Sequence, residues 1–143
     1  MNIEKYINDR VNNQIEWYDK KSKYNQYFYK VLQLIEIILA AAIPVLTNYA
    51  MNSKLITFII AIIGALIVII ESISKMNKYH ENWVQYRTTC ELLRYQKNLY
   101  ETNTSPYNTD DETPENLFVK NIESIISSEN NKWKSTNVSK KNK

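Results

Sequence analysis

The chain predicts an all-α fold: a membrane helical hairpin whose two long helices extend into a cytoplasmic coiled-coil-like bundle, plus a C-terminal helix packed back on it. Three observations lead there. Leu55 to Ile70, LITFIIAIIGALIVII, contains one Thr, no charge and no Asn, Gln or Pro, so a helix built from it has no face to offer water. Val31 to Leu46, VLQLIEIILAAAIPVL, is a second apolar run of the same length, interrupted by Gln33 and Glu36 and separated from the first by the short stretch 47–54, which suits a tight antiparallel turn. The 143 residues include one Gly and three Pro and show almost no strand-like alternation, a composition that favours long helices.

Sixteen helical residues rise only about 24 Å against a hydrocarbon core of roughly 30 Å. Flanking residues such as Tyr27, Tyr29, Tyr49, Met51 and Ile73 therefore complete the crossings, giving spans of about 31–50 and 54–73. The competing placement for both runs is the centre of a soluble bundle, which predicts recovery in the supernatant without detergent. The mean hydropathy of −0.45 averages these runs with a polar remainder. Eighteen basic and fifteen acidic residues are interleaved to a net charge of +3, too small and mixed for a nucleic-acid partner. The first thirty residues carry ten charges and no cleavable apolar core, so the first span is expected to insert as its own anchor. Six basic residues precede residue 31, eleven follow residue 70 and Lys54 alone lies in the turn. The positive-inside rule then gives a multi-pass protein of the cell inner membrane with both termini cytoplasmic.

In chain order, Ile3, Ile7, Val11, Ile15, Tyr18, Tyr24 and Phe28 recur near the helical period, predicting a helix over about 3–30 that runs into the first span, where Pro44 shortens or kinks it. No Gly or Pro follows Ile70 until Pro106, so the second span is expected to continue as a helix over about 74–101. Its seam is Met76, Tyr79, Trp83, Tyr86, Cys90, Leu93 and Tyr100, with Lys97 departing from it. That seam packs either on the chain's own first helix or on other subunits. A turn centred near residue 51 sets Arg10 near Glu91, Tyr18 near Trp83 and Lys30 near Glu71. After the polar break 102–113, Thr113, Pro114 and Glu115 form a helix start, predicting a helix over about 114–133 with Phe118, Ile122, Ile125, Ile126 and Trp133 on one side. Residues 1–133 are expected to form one two-span domain, and 134–143 a disordered Lys-rich tail.

Signals for an enzyme, a cofactor or a metal are absent. One Gly provides no phosphate-cradling loop, and the single His80 and single Cys90 lie about 15 Å apart along a helix. His80 reads as a surface or packing residue, Cys90 as a small seam residue. Glu36 is different, because an ionisable residue about one and a half turns inside a span is costly and by default a functional candidate. With Gln33 and Glu71 it either lines a polar path or sits at headgroup depth. Ala41, Ala61, Gly64 and Ala65 offer small surfaces that hold the hairpin shut or join neighbouring hairpins. Two spans cannot enclose an aqueous channel, so any pore requires a homo-oligomer.

Four stretches in order, R-V-x-x-Q-I-x-W-Y-D-K-K-S from Arg10 to Ser22, I-E-I-I-L-A-A-A-I-P from Ile35 to Pro44, N-W-V-Q-Y-R-T-T-C-E from Asn82 to Glu91 and S-E-N-N-K-W ending at Trp133, resemble the SLATT superfamily of small bacterial two-span domains. The chain is similar to a branch described only as a domain of unknown function. The resemblance implies an oligomeric, pore-forming membrane effector in bacterial conflict or defence, gated through its cytoplasmic helices, with a nucleotide-producing or nucleotide-sensing protein as partner. It places the family-like residues Arg10, Trp17, Tyr18, Trp83, Tyr86, Arg87, Glu91 and Trp133 in those cytoplasmic helices, where they clamp the bundle or recognise a ligand. The alternative is a non-conducting membrane scaffold or anchor that recruits a cytoplasmic partner.

Overall fold

The computed structural model describes residues 2–51, 53–108 and 113–138, and every regular element among them is helical. Helix α1 (Ile3–Tyr6) passes through a π-helical segment (Ile7–Asn12) into α2 (Asn13–Ala50), followed by α3 (Lys54–Asn77), α4 (Tyr79–Glu101) and α5 (Pro114–Val138). The chain divides into two compact units. One combines the described residues up to Lys21 with those from Gln85 onward; the other is Ser22–Val84.

The first unit holds the hydrophobic core: Val11, Tyr18, Cys90, Leu93, Tyr107, Phe118, Ile122 and Ile126 are buried together. Ile7, Val11 and Ile15 are spaced by fours and share one helix face, with Val11 buried and the two isoleucines packed against the core. Cys90, buried as a seam residue, donates its thiol to the Ile15 carbonyl at 3.5 Å. Lys97, the exception on the seam, reaches Asn12 Oδ1 at 2.8 Å. Within this unit the seam therefore packs on the chain's own first helix. Helix α4 ends in a Schellman motif: Asn103 takes a left-handed φ of 49°, its N–H reaches the Tyr100 carbonyl at 3.1 Å and that of Thr104 the Leu99 carbonyl at 2.9 Å. The turn brings back Tyr107, whose ring lies 5.9 Å from Phe118 and whose hydroxyl bonds Gln96 and accepts from Asn121 at 3.0 Å. Helix α5 starts at Pro114, with the Leu117 N–H on the Thr113 carbonyl at 3.1 Å. It packs back through Phe118, Ile122 and Ile126, as its spacing predicts.

In the second unit α2 passes through Pro44 and continues to Ala50. Ser53 is the N-cap of α3, its Oγ accepting from the Ile56 N–H at 3.4 Å. From Val31 to Asn77 no described residue is buried. The two apolar runs are thus long enough and apolar enough to cross a membrane, and they do not form the chain's own core.

Several expectations need correction. The second long helix is not continuous: Lys78 takes a left-handed φ of 52° and splits it into α3 and α4. Asn77 closes the end of α3, its amide donating to the Ile73 carbonyl at 2.9 Å. The break resets the phase, and the simple hairpin register fails with it. Arg10 pairs with Glu123 rather than Glu91, and Glu91 pairs with Arg87 and Arg94. Tyr18 finds Tyr86, one turn beyond Trp83. Lys30 lies over the Trp83 ring at 5.7 Å, while Glu71 takes Lys75 at 2.7 Å. Helix α5 continues past Trp133 to Val138, so the expected tail is helical over 134–138; its remainder, 139–143, and the Trp133 side chain lie outside the described residues.

Candidate functional site

Between the polar turn at Thr47, Asn48, Ser53 and Lys54 and the opposite end of the hairpin, the helices of the second unit are apolar, and the carboxylates gather at that opposite end. Glu36, Leu39, Ile43 and Leu46 on α2 are half-buried at alternating spacings of three and four, as are Ile60, Ile63, Ile67, Ile70 and Ser74 on α3, with Glu71 beside Ile70. Residues so spaced share one helix face, so each Glu stands on the stripe that its helix turns inward. Both line a cleft of about 330 Å³, along with Gln33, Ser74 and Lys75. The sequence candidates Glu36, Gln33 and Glu71 are thereby brought together. Tyr29, His80 and Glu81 also line the cleft. The Tyr29 and His80 rings meet edge-on at 4.7 Å, and Trp83 packs on both, at 6.1 Å and 5.8 Å.

Charge in the cleft is unevenly compensated. The Lys75 ammonium is held above its usual range, first by its hydrogen bond to Glu71, then by that carboxylate's charge and more weakly by Glu36. Glu36 itself makes no hydrogen bond or ion pair among the described residues. Beyond it, from Leu39 to Leu46 and back from Ile56 to Ile70, the half-buried stripes are wholly apolar. No group of three or more His, Cys, Asp or Glu able to hold a metal occurs among the described residues.

The small residues do not close the hairpin. Ala41, Ala61 and Ala65 are exposed, and a Cβ added at Gly64 would meet nothing within 4 Å. Close approach within one chain is therefore not what requires a small side chain at Gly64.

The expected clamp residues fall into both units. In the first, Trp17 packs edge-on to Tyr18 at 4.9 Å and Tyr86 at 5.7 Å, under the Lys21 ammonium. Arg87 bonds Glu91 at 2.7 Å, and Asp19 receives both Arg87 and Arg94, at 3.5 and 3.4 Å. Trp83 belongs instead to the aromatic cluster of the second unit. Two carboxylates on α5 were not anticipated. Glu123 takes a bidentate bond from Arg10, 3.1 Å on each arm, and one from the Tyr6 hydroxyl at 2.9 Å. Glu129 is buried and accepts from Tyr18 and Gln85, each at 3.1 Å. Glu129 stands three residues after Ile126 and four before Trp133, so it occupies a position of the α5 seam. A charge at a seam position was the available signal.

No curated protein and no solved structure matches the chain. A family model described as a protein of unknown function, DUF4231, matches residues 13–115. The matched stretch takes in α2, α3 and α4 and ends in the first turn of α5, and on that extent the chain belongs to the DUF4231 family.

Proposed function

We propose that the protein is an integral membrane effector of the SLATT type, acting as an oligomer in bacterial conflict or defence. The hairpin of α2 and α3 spans the inner membrane with both termini cytoplasmic, and assembled copies open a pore under the control of the cytoplasmic helices. The carrying observation is that no described residue between Val31 and Asn77 is buried. Leu34, Ile38, Phe58 and Val68 are each more than half exposed, and lipid is the solvent that accepts such a surface without penalty. The sidedness rests on the distribution of Lys and Arg. A nucleotide-producing or nucleotide-sensing protein is the partner that the resemblance implies.

The wholly apolar stripe beyond Glu36 favours a second reading, in which the hairpin anchors a scaffold and conducts nothing. A membrane-potential dye in cells induced to express the chain separates the two. The pore reading expects depolarisation that Glu36→Gln alters at equal protein level; an intact potential in both leaves the scaffold.

A further inference from the structure

The cleft on the hairpin carries charge that its own residues do not balance. Glu36, Glu71 and Glu81 face a single ammonium, Lys75, which is already on Glu71 at 2.7 Å. Glu36 is half-buried, five residues into its apolar run, and an ionised carboxylate at that depth is costly unless a cation meets it. Beside the cleft the surface turns apolar, with Ile35, Ile37 and Ile73 exposed. A polar cavity opening onto a greasy surface matches an amphiphile.

We propose that the cleft seats the primary ammonium of an aminophospholipid headgroup, with Glu36 as its principal acceptor and the lipid phosphate on the Lys75 side. The acyl chains then lie along the exposed isoleucines. A primary ammonium offers three N–H donors, whereas a quaternary one offers none, and an uncharged glycerol headgroup leaves Glu36 without a counter-charge. Selectivity should therefore run ethanolamine over choline and over glycerol. The inference rests on the bilayer placement of the hairpin and is independent of conduction.

The test uses the full chain purified in a neutral detergent and titrated with short-chain phosphatidylethanolamine, phosphatidylcholine or phosphatidylglycerol, reading the thermal midpoint and tryptophan fluorescence. Trp83 packs on His80 in the cleft wall, which places a reporter there. Saturable stabilisation by the ethanolamine lipid alone is expected, with apparent affinity at least about tenfold weaker in Glu36→Gln, since loss of a desolvated charge partner usually costs that much or more. Glu81→Gln, an exposed substitution, should weaken binding in the same direction should Glu36→Gln fold poorly. Equal responses to the three lipids, or an unchanged affinity in both variants, overturn the proposal. So does an equal response to free phosphoethanolamine, which assigns the cleft to a soluble amine. Alkaline carbonate extraction of the source membranes runs in parallel. Protein retained in the pellet without ethanolamine selectivity refutes the headgroup site alone, whereas protein released to the supernatant refutes the bilayer placement and the headgroup site with it.

Discussion

Glu123 and Glu129, six residues apart on α5, tie that helix down by different electrostatics. The Glu123 carboxyl is held below its ordinary value of 4.5, first by its hydrogen bond from Arg10, then by that from Tyr6 and by the Arg10 charge, against the opposing effect of burial. A depressed carboxylate contributes stability that is fully present above its unfolded value and lost as pH falls through the folded one. Glu123→Gln should therefore flatten the acid limb of a thermal-midpoint profile recorded by circular dichroism between neutral pH and pH about 3. Both partners are 43% exposed, so solvent screening limits the loss at neutral pH to about 1 kcal/mol or less. Glu129 differs in being buried. Replacing it with Ala strands the Tyr18 hydroxyl and the Gln85 amide, at a cost of about 1–3 kcal/mol in equilibrium unfolding. The Tyr18 phenol is pushed well above its usual range, first by burial and then by the Glu129 charge. A raised phenol contributes stability that is present below its unfolded value and lost as pH rises through the folded one, so Tyr18→Phe should lower stability on the neutral side and remove that alkaline loss.

At the scale of elements, the helices themselves were legible because their signals are local: the two apolar runs, the Thr113-Pro114-Glu115 start, and the seam of Phe118, Ile122 and Ile126. What escaped depends on backbone geometry or distant partners. The break at Lys78 uses a left-handed residue that is not glycine, in a stretch without Gly or Pro, so the usual breaker was missing. A non-glycine residue in that conformation costs about 1 kcal/mol, and Lys78→Gly should stabilise the α3–α4 junction by a comparable amount in thermal unfolding; a loss of stability would mean that the lysine side chain outweighs the strain. The partners of Arg10 and of the polar end of the hairpin escaped for a related reason. Pairing by a single antiparallel register assumes two straight helices, whereas one helix is broken and a third element, α5, offers Glu123 to Arg10. Phe118, fully buried beneath Tyr100 and Tyr107, carries the docking of that element. Its replacement by Ala should cost about 3–5 kcal/mol. Hydrogen exchange would then rise along α5 and the adjoining part of α4 while α3, in the other unit, keeps its protection.

For the molecule as a whole, the core lies in one unit and most of the exposed apolar surface in the other. The proposed assembly of copies would therefore draw on residues that folding of the single chain does not need, and Gly64 tests that separation. Its missing side chain faces open space within the chain, and a glycine inside a helix costs roughly 0.5–1 kcal/mol relative to alanine, so the chain's own fold gives no reason for it. Small residues in spans permit close approach between helices, and exposed Ala61 and Ala65 lie on the same stretch of α3. If copies meet there, Gly64→Ile should leave helicity and membrane retention unchanged while removing the higher species of a cross-linked ladder, and with them any depolarisation. Gly64→Ala, a much smaller intrusion, should weaken the ladder less. A ladder unaffected by Ile would show that copies meet on another face, and depolarisation persisting without a ladder would sever conduction from assembly at this surface. Gly64→Ala adds only a Cβ, which meets nothing within 4 Å in the single chain, so a ladder weakened by Ala cannot be traced to a clash within the hairpin.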